Sequence, residues 1–429
     1  MKIPGILFAA FFGLTLCQAK ALPTTIRQPG VLNVRAFGAK GDGKTLDTAA
    51  IQAALDACGK AGGGGVELPS GIYLSQPVFL RNRTTLQLDA SAVLKATDEA
   101  SDFRNPKKSG SFLAFVNGHK LTDIAITGQG AIDGSGACWW GPAREAKTKG
   151  KENPGYTLPR PWLIVLTECN GVHIEGVTLR DSPCFHLVPV DCENVVVSNV
   201  IIQAPADSPN TDAIDPSSCK NVLITQCRLD VGDDNVAIKS GHKVAGRQFA
   251  SENITVSDCT FLHGHGMSIG SETGAGVKNL LVENCTFDGT TSGIRIKSSR
   301  QKGGLVENLV YRNLTMTNVE IPINISGYYP KNPPTDSAQP VTATTPFYCD
   351  IRICSVTATG PRSAGWIIGL PESCVSNVAL ENVRLSTRTG LTIRNARNIH
   401  FINSRIPVKT GEALLLENAQ VTGWANPQK

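Results

Sequence analysis

A short pattern of polar and apolar residues recurs along most of the chain and limits the folds open to it. Each copy begins with Asn or Gly, and apolar residues follow at alternating positions before two or three polar residues and another apolar one. Clear copies begin at Gly171, Asn194, Asn221, Asn253, Asn279, Asn308, Asn377 and Asn398, at intervals of 23, 27, 32, 26, 29, 69 and 21 residues. Weaker copies begin at Thr85 and Asp123, and the long interval leaves room for one more copy and an insertion.

This repeat predicts a solenoid of short strands. Period-two alternation indicates strands, and their even recurrence indicates coils that stack on one continuous core. The fixed leucine spacing of leucine-rich repeats is absent, and the units are too short for the four-stranded blades of a β-propeller. We therefore expect an all-β fold, a single-stranded right-handed parallel β-helix. The 42 glycines, the 25 prolines and an aromatic content of 6% agree with many short strands and turns.

Residues at equivalent positions of the repeat are expected to stack. We expect the leading asparagines to hydrogen-bond along the solenoid rather than to bind a ligand. Six cysteines fall in two columns, namely Cys169, Cys192 and Cys219, and Cys227, Cys259 and Cys285. Neighbours about 4.8 Å apart in such a column point in parallel, so we expect buried thiols rather than disulfides. The other cysteines are freer to pair, and the absence of a C-x2-C pair argues against zinc.

The chain begins with the features of an export signal. Residues 1–21 contain Lys2, an apolar stretch from Ile6 to Leu16, and an Ala-Lys-Ala ending. This layout predicts a signal peptide cleaved after about Ala21, and no other stretch is long and apolar enough to cross a membrane. We therefore expect a secreted or periplasmic protein.

Residues 22–429 are expected to form one domain, whose first part, residues 22–75, opens and caps the solenoid. Asp47 is predicted to cap a helix from Thr48 to about Cys58, because apolar residues follow at helical spacing. Such a helix would cover the open end of the stack, where exposed strand edges invite pairing. We expect almost no other helix.

Four polar clusters lie just before or within apolar strands. They read Asn210-Thr211-Asp212, Gly232-Asp233-Asp234, Gly264-His265-Gly266 and Arg295-Ile296-Lys297. When the chain is aligned on Ile214, Ile238, Ile269 and Ile296, the residues Asn210, Asp234 and His265 fall four positions before their isoleucine, and Asp212 falls two before. Stacked coils would then gather three acids, one imidazole and two cations on one wall.

Clustered carboxyls of this kind suit the hydrolysis of a glycosidic bond. One protonated carboxyl gives its proton to the leaving oxygen, and a carboxylate activates a water. Mutual repulsion raises the pKa of one acid and keeps one proton on the group. We expect a water between separated carboxyls to attack from the opposite face and to invert the anomeric configuration.

The four clusters, in this order, resemble those of the polygalacturonases, family 28 of the glycoside hydrolases. The segment from Asn33 to Leu74 also resembles the start of that fold, so the resemblance covers nearly all of the chain after the predicted signal peptide. It implies a right-handed parallel β-helix that hydrolyses α-1,4-linked galacturonan with inversion, without a cofactor and without a metal. The family often has cysteine after Gly-Asp-Asp, whereas this chain has Asn235, which puts one local disulfide in doubt.

The resemblance also assigns catalytic roles. Asp234 resembles the general acid, and Asp212 and Asp233 resemble the pair that positions and deprotonates the water. His265 would hydrogen-bond near the acid and tune its protonation. These four residues are our predicted catalytic residues.

The predicted substrate-binding residues are Asn210, Arg295, Lys297 and Tyr329. Arg295 and Lys297 would pair with the carboxylate of a galacturonate unit, for which a guanidinium offers a bidentate contact. Asn210 would order the site, and Tyr329 would lie beside the substrate, although Tyr328 aligns with the family's tyrosine equally well.

Three further residues have two interpretations each. Trp139 and Trp140 either stack on sugar or anchor a packed loop. Asp215 is either a supporting acid behind the catalytic residues or an ordinary turn residue.

The expected substrate is an acidic pectic polysaccharide or an oligogalacturonide. A formal net charge of +5 is compatible with such a partner but too small to indicate nucleic acid. We expect no nucleic-acid or membrane partner and a monomer. The insertion from Pro330 to Pro346 would close one end of the cleft, which favours exo cleavage.

Three other functions deserve comparison. A β-helical pectate lyase would need a calcium cluster and a basic catalyst, which leaves the Gly-His-Gly and Arg-Ile-Lys clusters unexplained. A non-catalytic carbohydrate-binding β-helix accounts for the coils but not for the polar clusters. Rhamnogalacturonan hydrolase is the nearest rival, and Arg295 with Lys297 favours galacturonan over it.

Overall fold

Short parallel strands follow one another through almost all of the protein. The computed structural model describes residues 30–149, 158–241, 249–360 and 362–424, so the predicted signal peptide lies outside the described residues. The helices are α1 (Thr48–Lys60) and α2 (Ala137–Lys149), and short 3-10 turns span Val34–Phe37 and Ala100–Phe103. None of the described helices is long and apolar enough to span a bilayer.

The strands, in chain order, are β1 (Val31–Asn33), β2 (Asp42–Leu46), β3 (Gly64–Leu68), β4 (Gly71–Ser75), β5 (Val78–Phe79), β6 (Thr84–Leu88), β7 (Ala92–Ala96), β8 (Val116–His119), β9 (Thr122–Gly128), β10 (Ala131–Asp133), β11 (Ile164–Thr167), β12 (Asn170–Glu175), β13 (Thr178–Arg180), β14 (Leu187–Val190), β15 (Glu193–Ser198), β16 (Ile201–Gln203), β17 (Lys220–Thr225), β18 (Arg228–Asp230), β19 (Val236–Ser240), β20 (Ser251–Ser257), β21 (Thr260–Phe261), β22 (Met267–Thr273), β23 (Val277–Glu283), β24 (Thr286–Asp288), β25 (Ser292–Lys297), β26 (Leu305–Thr317), β27 (Ile321–Ser326), β28 (Phe347–Thr359), β29 (Ser363–Ile368), β30 (Val375–Glu381), β31 (Arg384–Ser386), β32 (Thr389–Ile402) and β33 (Leu414–Thr422).

These strands form three parallel sheets that run along the molecule. A typical coil passes from sheet 1 to sheet 2 to sheet 3, as in β17, β18 and β19. Sheet 1 contains β1, β3, β6, β9, β12, β15, β17, β20, β23 and β30, with parts of β26, β28, β32 and β33. Sheet 2 contains β2, β4, β7, β10, β13, β16, β18, β21, β24 and β31, with parts of β26 and β28.

Sheet 3 carries the predicted active-site residues. It contains β5, β8, β11, β14, β19, β22, β25, β27 and β29, with parts of β32 and β33. Between β14 and β19 it continues through single parallel bridges at Ile214 and Ser217. The architecture is the predicted right-handed parallel β-helix, the hand that nearly all crossovers between parallel strands adopt.

Apolar side chains fill the interior in columns. One such column in sheet 3 is Ile238, Ile269, Ile296, Ile325, Ile367 and Ile393, which pair in register and are fully buried. Burial of each such side chain contributes about 1.5–3 kcal/mol. One continuous hydrophobic cluster extends from Val34 to Ala413.

The predicted asparagine ladder is present on sheet 1. Each side-chain amide donates to the residue one coil earlier, over 3.1 Å from Asn221 to Asn194 and 2.9 Å from Asn279 to Asn253. Asp350 occupies the missing coil in the long interval, and Asn377 donates to its carboxylate over 2.9 Å. The ladder asparagines have φ between +54° and +59°. Asparagine tolerates this left-handed region better than most residues, which explains its recurrence there.

The two predicted cysteine columns are also confirmed. All six of their thiols are free and buried. In one column the thiols of Cys227, Cys259 and Cys285 donate to carbonyl oxygens two residues earlier, over 3.3, 3.2 and 3.1 Å. The other six cysteines of the described residues are free thiols too, and Cys138 is exposed among them.

Helix α1 caps the solenoid as predicted, with Ile51 and Leu55 fully buried against the first coils, but two details differ. The helix ends at Lys60, two residues later than expected. Asp47 does not cap it through its side chain. Its carboxylate instead accepts hydrogen bonds from the backbone N–H groups of Lys40 and Gly41, over 2.7 and 2.9 Å, and so holds the preceding loop.

Helix α2 contradicts the expectation of almost no second helix. Trp139 packs edge-on against Phe112, with ring centroids 5.6 Å apart, and the indole N–H of Trp140 donates to the carbonyl of Ser182 over 3.0 Å. Both tryptophans are buried. They therefore anchor packed structure, which was one of the two interpretations.

Candidate active site

The predicted catalytic residues lie where consecutive coils enter sheet 3. Asp233 and Asp234 lie between β18 and β19, and His265 lies between β21 and β22. Pairing in sheet 3 joins Ile214 to Val236 and Val236 to Met267, so Asp212, Asp234 and His265 occupy equivalent positions two residues earlier. The predicted alignment of Ile214 with Ile238 is thus wrong by two residues, because the coil through Ile214 has no regular strand there.

Three carboxyl groups converge at this point. Asp212, Asp233 and Asp234 each place an oxygen within 4.8 Å of the other two. Asp212 and Asp234 are only 3% and 1% exposed, whereas the Asp233 side chain is 19% exposed. Asp233 is therefore the carboxyl of the three that a ligand in solution reaches most directly.

Asp234 is held as a carboxylate by two cations. Its Oδ1 accepts from Arg295 and from the Ser268 hydroxyl, both over 2.8 Å, and its Oδ2 accepts from Lys297 over 2.6 Å. Burial by itself would raise the pKa of Asp234, but the charges of Lys297 and Arg295 outweigh burial and hold that pKa well below its ordinary value.

This geometry disagrees with two of the predicted roles. A general acid must carry a proton, whereas Asp234 is ionised. Arg295 and Lys297 were expected to be available to a substrate carboxylate, whereas both are engaged by Asp234. Two strong ion pairs with a buried carboxylate account for both differences.

Asp212 has the opposite electrostatic environment. Its pKa is raised well above the ordinary value by burial, and the neighbouring Asp215 and Asp233 add to this effect. The Lys239 ammonium lies 4.0 Å from Asp212 and 3.3 Å from Asp215 and opposes the shift. Burial also raises the pKa of Asp215 to about 7. With Asp234 ionised, any proton held by this cluster therefore resides on the other acids.

His265 is positioned by three contacts. Its backbone N–H donates to the Asp233 carbonyl over 2.9 Å, its Nε2 lies 3.7 Å from the Asp233 carboxylate, and its Nδ1 lies 2.6 Å from the Thr291 hydroxyl. Burial lowers the pKa of His265, so the imidazole is neutral at neutral pH. A neutral imidazole beside Asp233 can exchange a hydrogen bond with that carboxyl without adding a charge.

The remaining predicted residues surround these groups. Asn210 has φ +55°, and its side-chain oxygen accepts from Arg160 over 2.8 Å. Arg160 is buried and also donates to the carbonyls of Pro183 and Pro209, so it fixes the turn that carries Asn210. These contacts agree with an ordering role for Asn210.

The structure distinguishes between the two neighbouring tyrosines. The Tyr329 side chain is partly exposed, and the Lys297 ammonium lies 5.3 Å from its ring centroid. Tyr328 is buried and donates its hydroxyl to Asp336 over 2.8 Å. Tyr329 is thus the tyrosine beside the predicted site.

Sequence reasoning missed Lys239, Thr291, Ser268 and Arg160. Lys239 had a signal, because it is the only charged residue in the apolar strand β19, directly after the paired acids. In sheet 3 it occupies the same outward column as Lys297, and it donates to the Gly270 carbonyl over 3.3 Å. The other three residues touch the site only through tertiary contacts, which no local pattern shows.

The carboxyl cluster is a poor site for a divalent cation. Three carboxylate oxygens within 4.8 Å of one another would suit calcium by chemistry and spacing. Arg295, Lys297 and Lys239, however, place three positive charges among these acids. A bound divalent ion would be repelled by all three, which argues against a calcium-dependent lyase.

Comparison with known proteins identifies the family. The sequence profile of Glycosyl hydrolases family 28 matches residues 58–407. An endo-polygalacturonase of Pectobacterium carotovorum subsp. carotovorum is 33% identical over 378 residues, which cover 83% of this chain and 88% of that protein. An exo-poly-alpha-D-galacturonosidase of Dickeya chrysanthemi is 28% identical over 461 residues, which cover 93% of this chain and 75% of that protein.

A solved structure agrees with this result. The hyperthermoactive exopolygalacturonase of Thermotoga maritima superposes with a TM-score of 0.73 at 27% identity, over 93% of each chain. The profile match, the related sequences and the likeness of fold all span most of the chain. The protein belongs to family 28 of the glycosyl hydrolases and is a glycoside hydrolase.

Proposed function

We propose that this enzyme hydrolyses α-1,4-galacturonosidic bonds in polygalacturonate or its oligosaccharides, with inversion of configuration. The observation that carries the proposal is the group of three converging carboxyls interleaved with Arg295, Lys297 and Lys239. The acids suit glycoside hydrolysis, and the cations suit a sugar that carries a carboxylate. The names of the related proteins, which include endo- and exo-acting enzymes on polygalacturonate, support the same substrate class.

The geometry favours Asp233 as the proton donor in place of Asp234. Asp234 is ionised and enclosed, whereas Asp233 is the most exposed acid of the cluster and lies beside His265. Among the described residues, the one basic group within ion-pair distance of Asp233 is the neutral His265 imidazole. We assign Asp233 to protonation of the leaving oxygen, and Asp212 and Asp234 to the water.

Inversion is proposed for a reason other than the one predicted. The carboxyl oxygens approach within 4.8 Å, closer than the roughly 6.5–9.5 Å usual for inverting glycosidases. A retaining mechanism, however, needs a carboxylate that bonds to the anomeric carbon. Asp212 and Asp234 are almost fully buried and therefore poorly placed to do so. A water held by them can attack in a single displacement, which inverts the configuration.

Arg295 and Lys297 are proposed to bind the uronate carboxylate by sharing their charge with Asp234. Arg295 retains further N–H donors after its bond to Asp234, and the Tyr329 ring borders Lys297. Lys297→Ala should therefore raise KM and its dependence on salt. Because Lys297 also holds Asp234, kcat should fall as well.

Exo cleavage is supported by the position of the insertion. Residues 327–346 contain no regular strand and lie beside Lys297 through Tyr329. The insertion is held by Arg300 and Arg394, at the ends of sheet-3 strands, and would close the cleft beside the turns that follow sheet 3, so the enzyme would work from a chain end. The related proteins include one named as an endo-acting and one named as an exo-acting enzyme, so their names do not distinguish the two modes of cleavage.

The deciding experiment is product analysis on polygalacturonate and on rhamnogalacturonan. We expect saturated galacturonate products from polygalacturonate, undiminished by a calcium chelator, with the first anomer seen by proton NMR in the β form. Unsaturated products would indicate a lyase, and cleavage of rhamnogalacturonan alone would indicate the rival hydrolase. A retained α anomer would mean that an aspartate acts as nucleophile.

Export and assembly complete the proposal. We propose that the protein is secreted or periplasmic and acts as a monomer. Residues 1–21 have the layout of a cleaved signal. The N-terminal sequence of the exported protein should begin at about Leu22, and light scattering should give the mass of one chain.

A further inference from the structure

A groove rich in cations lies on the last coils, away from the carboxyl cluster. Arg384 and Arg405 line a part of about 330 Å³, and Arg362, Arg388 and Lys409 line an adjoining part of about 550 Å³. The two parts meet at Ser386, which lines both. The side chains of all five cations are exposed. We call these five residues the basic groove.

The cations of the basic groove stack on one another in successive coils. Arg384 and Arg405 form a parallel bridge, and the next bridge, between Thr387 and Val408, places Arg388 and Lys409 side by side. Strands paired in this way lie about 4.8 Å apart. Like charges directly opposite each other on neighbouring strands are destabilising.

Two columns of charged residues on sheet 1 show the opposite arrangement. A column on sheet 1 alternates strictly in charge, and its members are Glu193, Lys220, Glu252, Lys278 and Glu307. Arg312 likewise pairs with Glu283 one coil earlier. The stacked cations of the basic groove lack the alternation of charge seen in these columns.

No acid within the described residues neutralises the basic groove. None of its five side chains forms an ion pair or hydrogen bond with another described residue. Of the described residues that line the groove, Glu320 is the one acid, and it forms no ion pair with the five cations. A cluster with about four uncompensated positive charges attracts an anionic ligand from solution.

The groove follows the same line of turns as the catalytic acids. Asp233 precedes β19 in the turn between sheets 2 and 3, and Arg362, Arg388 and Lys409 precede β29, β32 and β33 in the equivalent turn. Four to six coils separate them from Asp233, which is roughly 20–30 Å at the spacing of paired strands. A long polyanion in the active site could reach the groove, whereas a short oligosaccharide could not.

We propose that the basic groove is a second binding site for a uronate polysaccharide, remote from the bond that is cleaved. The inference rests on the proposed function, because it takes the same substrate class. Regularly spaced carboxylates match stacked cations, and the exposed hydroxyls of Thr357, Thr359 and Ser386 line the same groove and can bond to sugar hydroxyls. None of the described residues that line either part is aromatic, so this lining lacks the stacking surface typical of single-stranded nucleic-acid sites.

The test compares long and short substrates. The double variant Arg384→Gln/Arg405→Gln should raise KM for long polygalacturonate about five- to tenfold at low salt and leave the trimer unchanged. The control Lys220→Gln/Lys278→Gln removes the same charge from sheet 1 and should change neither substrate. An equal KM for the polymer in both double variants would overturn the proposal.

A charge reversal separates binding from folding. Arg405→Glu creates an opposite pair with Arg384, so its melting temperature should equal or exceed that of the wild type while retention on immobilised polygalacturonate falls. If the wild type cleaves no galacturonan, the proposed function fails. The proposal of a second binding site is then tested by the retention assay alone. Equal retention of Arg405→Glu and the wild type on polygalacturonate would overturn the groove proposal. The proposal would also fail if the variant lost binding to dextran sulfate as much as binding to polygalacturonate, because the groove would then bind any polyanion.

Discussion

At the scale of single residues, the site is governed by the unequal surroundings of four buried or half-buried acids. Asp234 keeps its charge because Arg295 and Lys297 bind it directly. Among the described residues, the cation paired with Asp212 and Asp215 is Lys239, and burial raises the pKa of both acids. Asp234 is thus held as a carboxylate, whereas burial favours the neutral forms of Asp212 and Asp215 and the Lys239 charge opposes it.

Replacement of Asp233 tests the assignment of the proton donor. Asp233→Asn should reduce turnover of polygalacturonate by about 10²–10⁴-fold, because the leaving oxygen receives no proton. It should retain activity on an aryl galacturonide whose leaving group needs no proton. Steady-state rates on both substrates measure this difference.

The matched variants are Asp212→Asn and Asp234→Asn. Both should be inactive on either substrate, because the water is no longer activated. If Asp234→Asn, rather than Asp233→Asn, keeps activity on the aryl substrate, the original assignment of Asp234 as general acid is right.

Lys239 is predicted to set the acidic limb of the pH–activity profile. Burial raises the pKa of Asp212 and Asp215, and the Lys239 charge opposes this rise and also lowers the pKa of Asp234. Lys239→Met therefore raises all three pKa values. Water activation needs ionised acids, so the acidic limb of kcat/KM should move to higher pH by about one unit or more.

Lys278→Met is the control for Lys239, because Lys278 pairs with Glu252 over 3.3 Å on sheet 1, away from the acids. Its profile should coincide with that of the wild type. An unmoved acidic limb in Lys239→Met would show that Lys239 has only a structural role.

At the scale of elements, the insertion is a loop fixed at several points. Arg300 binds Asp336 and Glu372, and Arg394 donates to the carbonyls of Pro333 and Pro334 over 2.9 Å each. Hydrogen bonds from Arg300 lower the pKa of Glu372. This anchor is therefore present at neutral pH and weakens only as Glu372 becomes protonated at acidic pH.

Loss of the Arg300 anchor should change the mode of cleavage. Arg300→Gln frees the loop, so interior bonds of the polymer gain access to the acids. We expect a larger fall in viscosity per reducing end released than with the wild type. Arg312→Gln, which breaks a comparable ion pair with Glu283 on sheet 1, should leave this ratio unchanged. The proposal that the loop closes the cleft would be contradicted by an equal ratio of viscosity loss to reducing ends in both variants. It would also be contradicted if the wild type already acted as an endo enzyme.

The asparagine ladder gives a prediction about stability. Asn253 has φ +58°, donates to Asn221 and accepts from Asn279. Asn253→Ala should lower the free energy of unfolding by roughly 2–4 kcal/mol, through left-handed strain and lost hydrogen bonds. Asn253→Gly relieves the strain and should cost less. Chemical denaturation measures the free energy of unfolding of both variants. An equal loss of stability in the two would show that backbone strain is not part of the effect.

At the scale of the whole molecule, the absence of disulfides among the described cysteines is testable. All twelve of these cysteines are free, and eight of them are buried. In the native protein a thiol reagent should react readily with Cys138 and poorly with the buried thiols. Denaturation without reductant should expose twelve thiols in the chain that begins after Ala21. A markedly lower number would mean that the protein acquires disulfides on export.

The sequence alone determined the coil register, the asparagine and cysteine ladders, the capping helix and the family of the enzyme. These follow from patterns that repeat or lie close together, and each coil imposes the same constraint on its neighbours. The tertiary structure alone decided the alignment of Asp212 with Asp234, the engagement of Asp234 by Arg295 and Lys297, and the presence of Lys239 among the acids. Charge and pKa depend on which groups meet across coils, here 22 to 63 residues apart in the chain, and local sequence does not encode those distances.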